Sequence, residues 1–152
     1  MTRKLKIDEK LFCKITKLYG RTFNLPPLAV KIYAYLKFDF KNEGLSFDEI
    51  VETFAVSKSS ASTSINLLLS NNLITESNKL NERKRYFTIN NDFVKQHFEF
   101  IRDKLSDELE IMDGLEAFNT EEKNPEDDRK TKMHTRLLRH HIKTIQEYLN
   151  QL

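Results

Sequence analysis

The sequence predicts a mainly α-helical protein with one small β-hairpin, and three observations lead to this prediction. Apolar residues recur three and four positions apart through most of the chain, which is the spacing of helices that bury one face. Two helix-capping sequences follow each other closely, at Ser46 and at Ser57. Two short runs rich in β-branched and apolar residues, 72–77 and 86–89, then flank a polar segment, which is the pattern of a hairpin.

The first capped helix begins near Ser46. The Ser46 hydroxyl is an acceptor at the helix start and Glu49 follows three residues later, so each side chain can bond the backbone amide of the other residue. The apolar positions fall on one side of the helix, which we expect to be buried, and the acidic positions are expected in solvent. The apolar set is Phe47, Ile50, Val51 and Phe54, and the acidic set is Asp48, Glu49 and Glu52.

The second capped helix begins at Ser57, directly after the first one ends. Its apolar positions form a narrow stripe, and its other side carries mainly hydroxyl and amide groups. The stripe is Ala61, Ile65, Leu68 and Leu69, and the polar side is Lys58, Ser59, Ser62, Thr63 and Asn66. A serine-rich linker over 57–64 is the alternative, but a linker would not keep the apolar residues in helical phase. Two short helices joined by a tight turn are typical of a unit that reads the DNA major groove.

The predicted hairpin carries a cluster of basic residues between its strands. Four cationic side chains lie within 78–85, and a charged hairpin beside a reading helix can contact phosphates or the minor groove. The hydroxyls of the helix start and the cations of the hairpin together form the predicted DNA-binding set. Its members are Ser57, Lys58, Ser59, Ser60, Ser62, Thr63, Asn66, Lys79, Arg83, Lys84 and Arg85.

Residues 25–90 resemble the winged helix-turn-helix domain of MarR-type transcription regulators, most closely the GbsR-like branch. The resemblance rests on LPPLA at 25–29 with Ile32 and Tyr33, on VSKSS at 56–60, and on ERKRYF at 82–87. It implies a winged helix-turn-helix with N- and C-terminal dimerisation helices, and an effector that is a small molecule, as choline is for GbsR-like relatives. It also implies that an acidic residue steadies the wing arginine, and Glu82 takes that position before Arg83.

Further amphipathic helices are predicted on both sides of this unit. Spacing indicates helices over 7–19, ending near Gly20, from Pro26 and Pro27 toward Phe40, over 92–115 and over 129–152, with an acidic, mobile break at 116–128. We expect the second of these helices to bury Ala29, Ile32, Tyr33, Leu36 and Phe40. The predicted domains are an N-terminal dimerisation helix at 1–24, the winged helix-turn-helix at 25–91, and a C-terminal helical dimerisation region at 92–152.

The terminal helices predict a homodimer, because their apolar stripes exceed what a small winged helix can cover. Two reading helices related by a dyad would address a pseudo-palindromic operator in double-stranded DNA. The charge distribution agrees with this domain organisation. Residues 1–91 contain 15 Lys and Arg against 9 Asp and Glu, whereas residues 92–152 contain 10 against 14. The predicted function is a transcription regulator, in the first instance a repressor, that a small-molecule effector releases from DNA.

Other functions find less support in the sequence. The chain has three glycines, no phosphate-binding glycine loop and no nucleophile paired with a base, so we expect neither catalysis nor a cofactor. The four histidines lack the spacing and the companion ligands of a metal site. The single cysteine, Cys13, and the lack of a long apolar run or signal sequence predict a reducing, cytoplasmic location. The alternative to DNA binding is a winged helix that contacts protein.

Overall fold

The computed structural model describes residues 2–152, and it is mainly α-helical with a small three-stranded antiparallel sheet. The fold class predicted from the sequence is therefore confirmed. In chain order the elements are α1 Glu9–Thr22, α2 Pro27–Leu36, β1 Leu45–Ser46, α3 Phe47–Phe54, α4 Lys58–Ser70, β2 Ile74–Asn78, β3 Arg85–Ile89, α5 Phe93–Phe118 and α6 Pro125–Leu149. The chain divides into two compact units, one ending at Asn91 and one spanning Asp92–Leu152.

Helix α2 lies at the centre of the first unit and is buried on nearly all sides, packed by α1 and α4. Pro27 occupies its first turn, as predicted. The prediction that α2 continues to Phe40 was wrong, because the helix ends at Leu36 and Phe40 is 85% exposed. The chain closes a loop there instead, in which the buried Asp39 carboxylate accepts a 2.7 Å hydrogen bond from the Gly44 amide. That loop removes Phe40 from the helical face.

Helix α3 begins with the capping arrangement predicted from its sequence. The Ser46 amide donates to Glu49 Oε2 at 2.7 Å, and the Glu49 amide donates to Ser46 Oγ at 3.3 Å. Of its apolar positions Ile50 is fully buried. The expectation that Glu49 stays in solvent was wrong, since these bonds hold the side chain half-buried against the helix start.

The sheet places the hairpin on the first unit. Strand β3 is central, and β2 pairs with it antiparallel from Ile74↔Ile89 to Asn78↔Arg85. The predicted hairpin is thereby confirmed, with strand ends shifted by one or two residues. Strand β1 is the addition that the sequence did not predict: Leu45 pairs with Phe87 on the other edge of β3. Phe87 consequently lies in the middle of the sheet and is fully buried.

Helix α1 starts after Asp8, which caps the Leu11 amide, and runs through Gly20 to Thr22 instead of ending at Gly20. Before it, an extended arm lies along the first unit. Arg3 forms an ion pair with Asp39 at 2.7 Å, and the Leu5 amide donates to the Tyr35 hydroxyl at 2.8 Å. Burial opposes ionisation of the Asp39 carboxyl, but bonds from Arg3 and the Gly44 amide outweigh it, so the pKa of Asp39 is lowered.

The second unit is an antiparallel pair of long helices, α5 and α6. Within it, the predicted acidic break at 116–128 was wrong in extent, because only 119–124 lie outside the helices. Asn124 caps the amides of Glu126 and Asp127, and Pro125 occupies the first turn. Acidic side chains in the first turn of a helix interact favourably with the positive end of the helix dipole. This acidic run therefore starts a helix and does not form a loop. No helix in residues 2–152 is long and apolar enough to cross a bilayer.

Candidate nucleic-acid interface

The N-terminus of α4 is capped by Ser57, as predicted. The Ser60 amide donates to Ser57 Oγ at 3.1 Å, and the Ser57 hydroxyl donates in turn to Ser60 Oγ at 2.9 Å. Both side chains are exposed. Because Ser57 and Ser60 hold each other in this cap, their first role is to fix where the helix starts, and the free amides of the first turn face outward.

Helix α4 has one buried side and one exposed side. Ala61, Ser64, Ile65 and Leu68 are buried, so the predicted stripe is present, with Ser64 added and Leu69 only half-buried. The exposed side consists of Lys58, Ser59, Ser62, Thr63 and Asn66, which we call the outer face of α4.

The outer face is largely unoccupied by intramolecular bonds. The Thr63 hydroxyl donates to the Ser59 carbonyl at 3.0 Å. Within residues 2–152 the side chains of Ser59, Ser62 and Asn66 make no hydrogen bond, so their donors and acceptors point to solvent. A row of unengaged hydroxyl and amide groups on a helix is the chemistry that reads base edges.

The hairpin β2–β3 carries the four predicted cations, all of them exposed, but in different environments. Arg85 pairs with Glu76 at 3.1 Å, and the Lys79 ammonium lies 3.9 Å from the centre of the Tyr86 ring. In the described part of the chain Arg83 and Lys84 take part in no ion pair. The two cations without an ion pair are therefore next to each other, in the loop just before β3.

The expected pairing of Glu82 with Arg83 was wrong. The Tyr86 hydroxyl donates a short hydrogen bond to the Glu82 carboxylate, and this bond raises the pKa of Tyr86. Glu82 thus steadies β3 through a tyrosine, and the arginine that does have a carboxylate partner is Arg85, through Glu76 on the facing strand. Sequence reasoning missed Glu76 and Tyr86. Pairing of Asn78 with Arg85 brings Glu76 within reach of Arg85, and Tyr86 lies four residues after Glu82.

Acidic side chains limit the positive region on one side. Asp48, Glu49 and Glu52 of α3 line a polar cleft of about 440 Å³, together with Lys84 and Tyr86 of the hairpin. In this cleft Lys84 faces three carboxylates without forming an ion pair with any of them, and the nearby Lys79 charge helps to lower the pKa of Glu49. Phosphate would therefore approach the hairpin from the side away from α3.

The remaining candidates for chemistry are scattered. Cys13 is exposed on α1. His134 lies 3.0 Å from Glu108, and His97 stacks on the Phe93 ring and makes an edge contact with Phe98. No group of three or more His, Cys, Asp or Glu side chains within residues 2–152 is arranged to hold a metal ion.

Comparison with known proteins gives a fold likeness. No family model matches the chain, and no curated protein matches it. A solved structure described as a transcriptional regulator is 18% identical over 93% of this chain and 95% of that chain, with a TM-score of 0.56. MepR, a transcription regulator of the Staphylococcus aureus multidrug efflux pump MepA, is 18% identical over 84% of this chain and 90% of that chain, with a TM-score of 0.44. At such identity the first likeness shows the fold, and that fold occurs in a transcription regulator.

Proposed function

We propose that this chain is a sequence-specific transcription regulator that binds double-stranded DNA, and that it acts as a repressor. The observation that carries the proposal is the outer face of α4. It starts at a capped helix end, its polar groups are exposed, and a hairpin with two cations that form no ion pair within residues 2–152 follows it in the same unit. Ser59, Ser62 and Asn66 would meet base edges in the major groove. Arg83 and Lys84 would meet phosphates or the minor groove.

The proposal includes a homodimer. Large apolar side chains remain exposed on α1 and on both helices of the second unit, where Leu138 and Leu149 are the only buried hydrophobic residues. Apolar surface of this extent favours association. The exposed side chains are Ile7 just before α1, Leu11, Leu18, Val94, Phe100, Ile111, Leu115, Phe118, Met133, Leu137 and Tyr148. A twofold dimer would present two α4 helices to successive major grooves, about 34 Å apart.

The dimer is tested by introducing charge into the apolar surface. We expect Ile111→Lys with Leu115→Lys to weaken self-association by about a hundredfold or more, because each side chain is 64% exposed in one subunit and would be buried in two. Analytical ultracentrifugation measures the change. The control is Glu110→Lys on the same helix, at an exposed polar position. A wild-type chain that sediments at 18.0 kDa at all concentrations would contradict the dimer.

The proposal also includes release by a small-molecule effector. Such a molecule weakens DNA binding only if it binds more tightly to the arrangement of the two α4 helices that does not fit the operator. A ligand screen would identify the chemical class of the effector, and the GbsR-like resemblance makes quaternary ammonium compounds the first class to test.

The function is tested by selecting duplexes from a random-sequence pool with the wild-type protein. We expect an inverted repeat to be enriched. For the selected duplex, the logarithm of the association constant should fall linearly with the logarithm of the salt concentration, with a slope of about −0.9 for each phosphate contacted. Fluorescence anisotropy measures the affinity. Failure to enrich any sequence from the pool, or an affinity that does not change with salt concentration, would contradict the proposal.

A winged helix that contacts protein is the second candidate. Two observations favour it: Lys58 is the only cation on the outer face of α4, and three carboxylates of α3 lie beside the hairpin. This candidate predicts that no duplex is enriched by the selection, whereas changes on the outer face still abolish the function in cells.

A further inference from the structure

Leu80 is the most exposed large apolar side chain in the described part of the chain, at 92%. It lies in the turn of the hairpin β2–β3, between strand ends at Asn78 and Arg85. The Glu82 amide donates to the Lys79 carbonyl at 3.0 Å and closes a tight turn whose two corner residues are Leu80 and Asn81. Asn81 has a φ of 67°, a left-handed conformation that asparagine tolerates. Leu80 therefore occupies the outermost corner of the hairpin.

The turn is fastened at both of its ends to one residue of β3. The Lys79 ammonium lies over the Tyr86 ring, and Glu82 accepts a hydrogen bond from the Tyr86 hydroxyl. The first and last residues of the turn both contact Tyr86, and these two contacts restrain the corner between them. The hairpin presents its leucine outward in a defined way, and no other part of the first unit covers it.

The surroundings of Leu80 indicate what kind of surface would cover it. Within five residues of it along the hairpin lie four cations, Lys79, Arg83, Lys84 and Arg85, against the two carboxylates of Glu76 and Glu82, so this end of the hairpin carries a net positive charge. A partner must therefore offer dense negative charge with an apolar recess between the charges. The DNA minor groove has this form, since two rows of phosphates enclose sugar and base edges that accept apolar wedges.

From this arrangement we infer that Leu80 is an apolar wedge that enters the minor groove of DNA bound by the hairpin, flanked by Arg83 and Lys84 on the phosphates. The inference rests on the proposed function and deepens it, because it assigns sequence selection in the minor groove to an uncharged side chain. Insertion of such a wedge partly unstacks a base step and bends the duplex. Flexible pyrimidine–purine steps at the hairpin contact would be selected for the same reason.

The test compares Leu80→Ala with the apolar control Leu80→Met on a duplex selected by the wild-type protein. We expect Leu80→Ala to weaken binding by roughly tenfold, because the shorter side chain no longer fills the groove, while the salt slope stays unchanged because no charge is removed. Leu80→Met keeps the apolar volume and should bind within about twofold of wild type. Energy transfer between dyes on the duplex ends should show a bend with wild type that Leu80→Ala reduces.

Two results would overturn the wedge. One is wild-type affinity and bending for Leu80→Ala. The other is tighter binding and a steeper salt slope for Leu80→Lys, which would mean that the corner lies along phosphates and not in the groove. In both cases salt-dependent binding by the wild-type protein leaves the proposed function standing. If the wild-type protein itself shows no salt-dependent duplex binding, the function and the wedge both fall.

Discussion

Replacing Arg83 and Lys84 by alanine should weaken binding to the selected duplex by about tenfold to a hundredfold near physiological salt. The reason is that each cation is expected to make about one phosphate contact, which its replacement removes. Neither of these hairpin cations forms an ion pair within residues 2–152, so their replacement breaks no salt bridge and should not affect folding. We also expect the magnitude of the salt slope to fall by about two. Anisotropy titrations at several salt concentrations measure both quantities.

The control for this prediction removes the same charge elsewhere. Lys130→Ala with Arg136→Ala changes two exposed cations of α6 in the second unit, and the net charge falls equally. If the control weakens binding as much as the hairpin variant does, the effect is one of overall charge and the hairpin has no special role. Adding Arg85→Ala should weaken DNA binding less than either of the first two changes, because Arg85 already forms an ion pair with Glu76.

Introducing a carboxylate on the outer face of α4 should have a larger effect. We expect Ser62→Glu to weaken duplex binding by more than about a hundredfold, since a negative charge would lie against the base edges and phosphates that the helix approaches. Ser62 is exposed and makes no hydrogen bond among the described residues. Glutamate is also a better helix former than serine, so the weaker binding cannot come from unfolding of α4.

The matched control is Ser70→Glu, the same substitution in the last turn of the same helix, where the side chain is also exposed. This variant should bind within a few-fold of wild type. Alanine substitutions remove hydroxyl groups from the outer face without adding charge, so they test recognition of base edges separately from charge repulsion. Ser59→Ala with Thr63→Ala should change which sequences are selected more than it changes the affinity for DNA. Equally weak binding by Ser62→Glu and Ser70→Glu would refute a specific role for the outer face.

The parts of the fold that sequence patterns predicted are those decided within a few residues. The capping box of α3 joins Ser46 to Glu49, and the cap of α4 joins Ser57 to Ser60, so the residues that decide each helix start stand close to one another in the chain. The buried stripe of α4 and the hairpin are also local patterns. For that reason the candidate DNA-binding residues could be placed on one exposed helix face and one hairpin from the sequence alone.

The parts that were missed depend on distant partners. Strand β1 exists because Leu45 pairs with Phe87, and the N-terminal arm lies as it does because Arg3 reaches Asp39 and Glu49. No local pattern signals such contacts. The same applies to the wing, where Glu82 is followed in sequence by Arg83 and Lys84 but accepts a hydrogen bond from Tyr86 of β3. The acidic run before Arg129 was misread for a different reason, since its charge suits a helix start as well as a loop.

The backbone amides of the wild-type protein, followed by NMR as the selected duplex is added, report most directly where DNA binds. We expect the large shifts to fall on the first two turns of α4, beginning at Ser57, and on the hairpin residues 79–85, with α3 shifting less. Shifts that leave α4 and the hairpin unchanged and appear on another surface would contradict the claim that these two elements together form the DNA-binding surface.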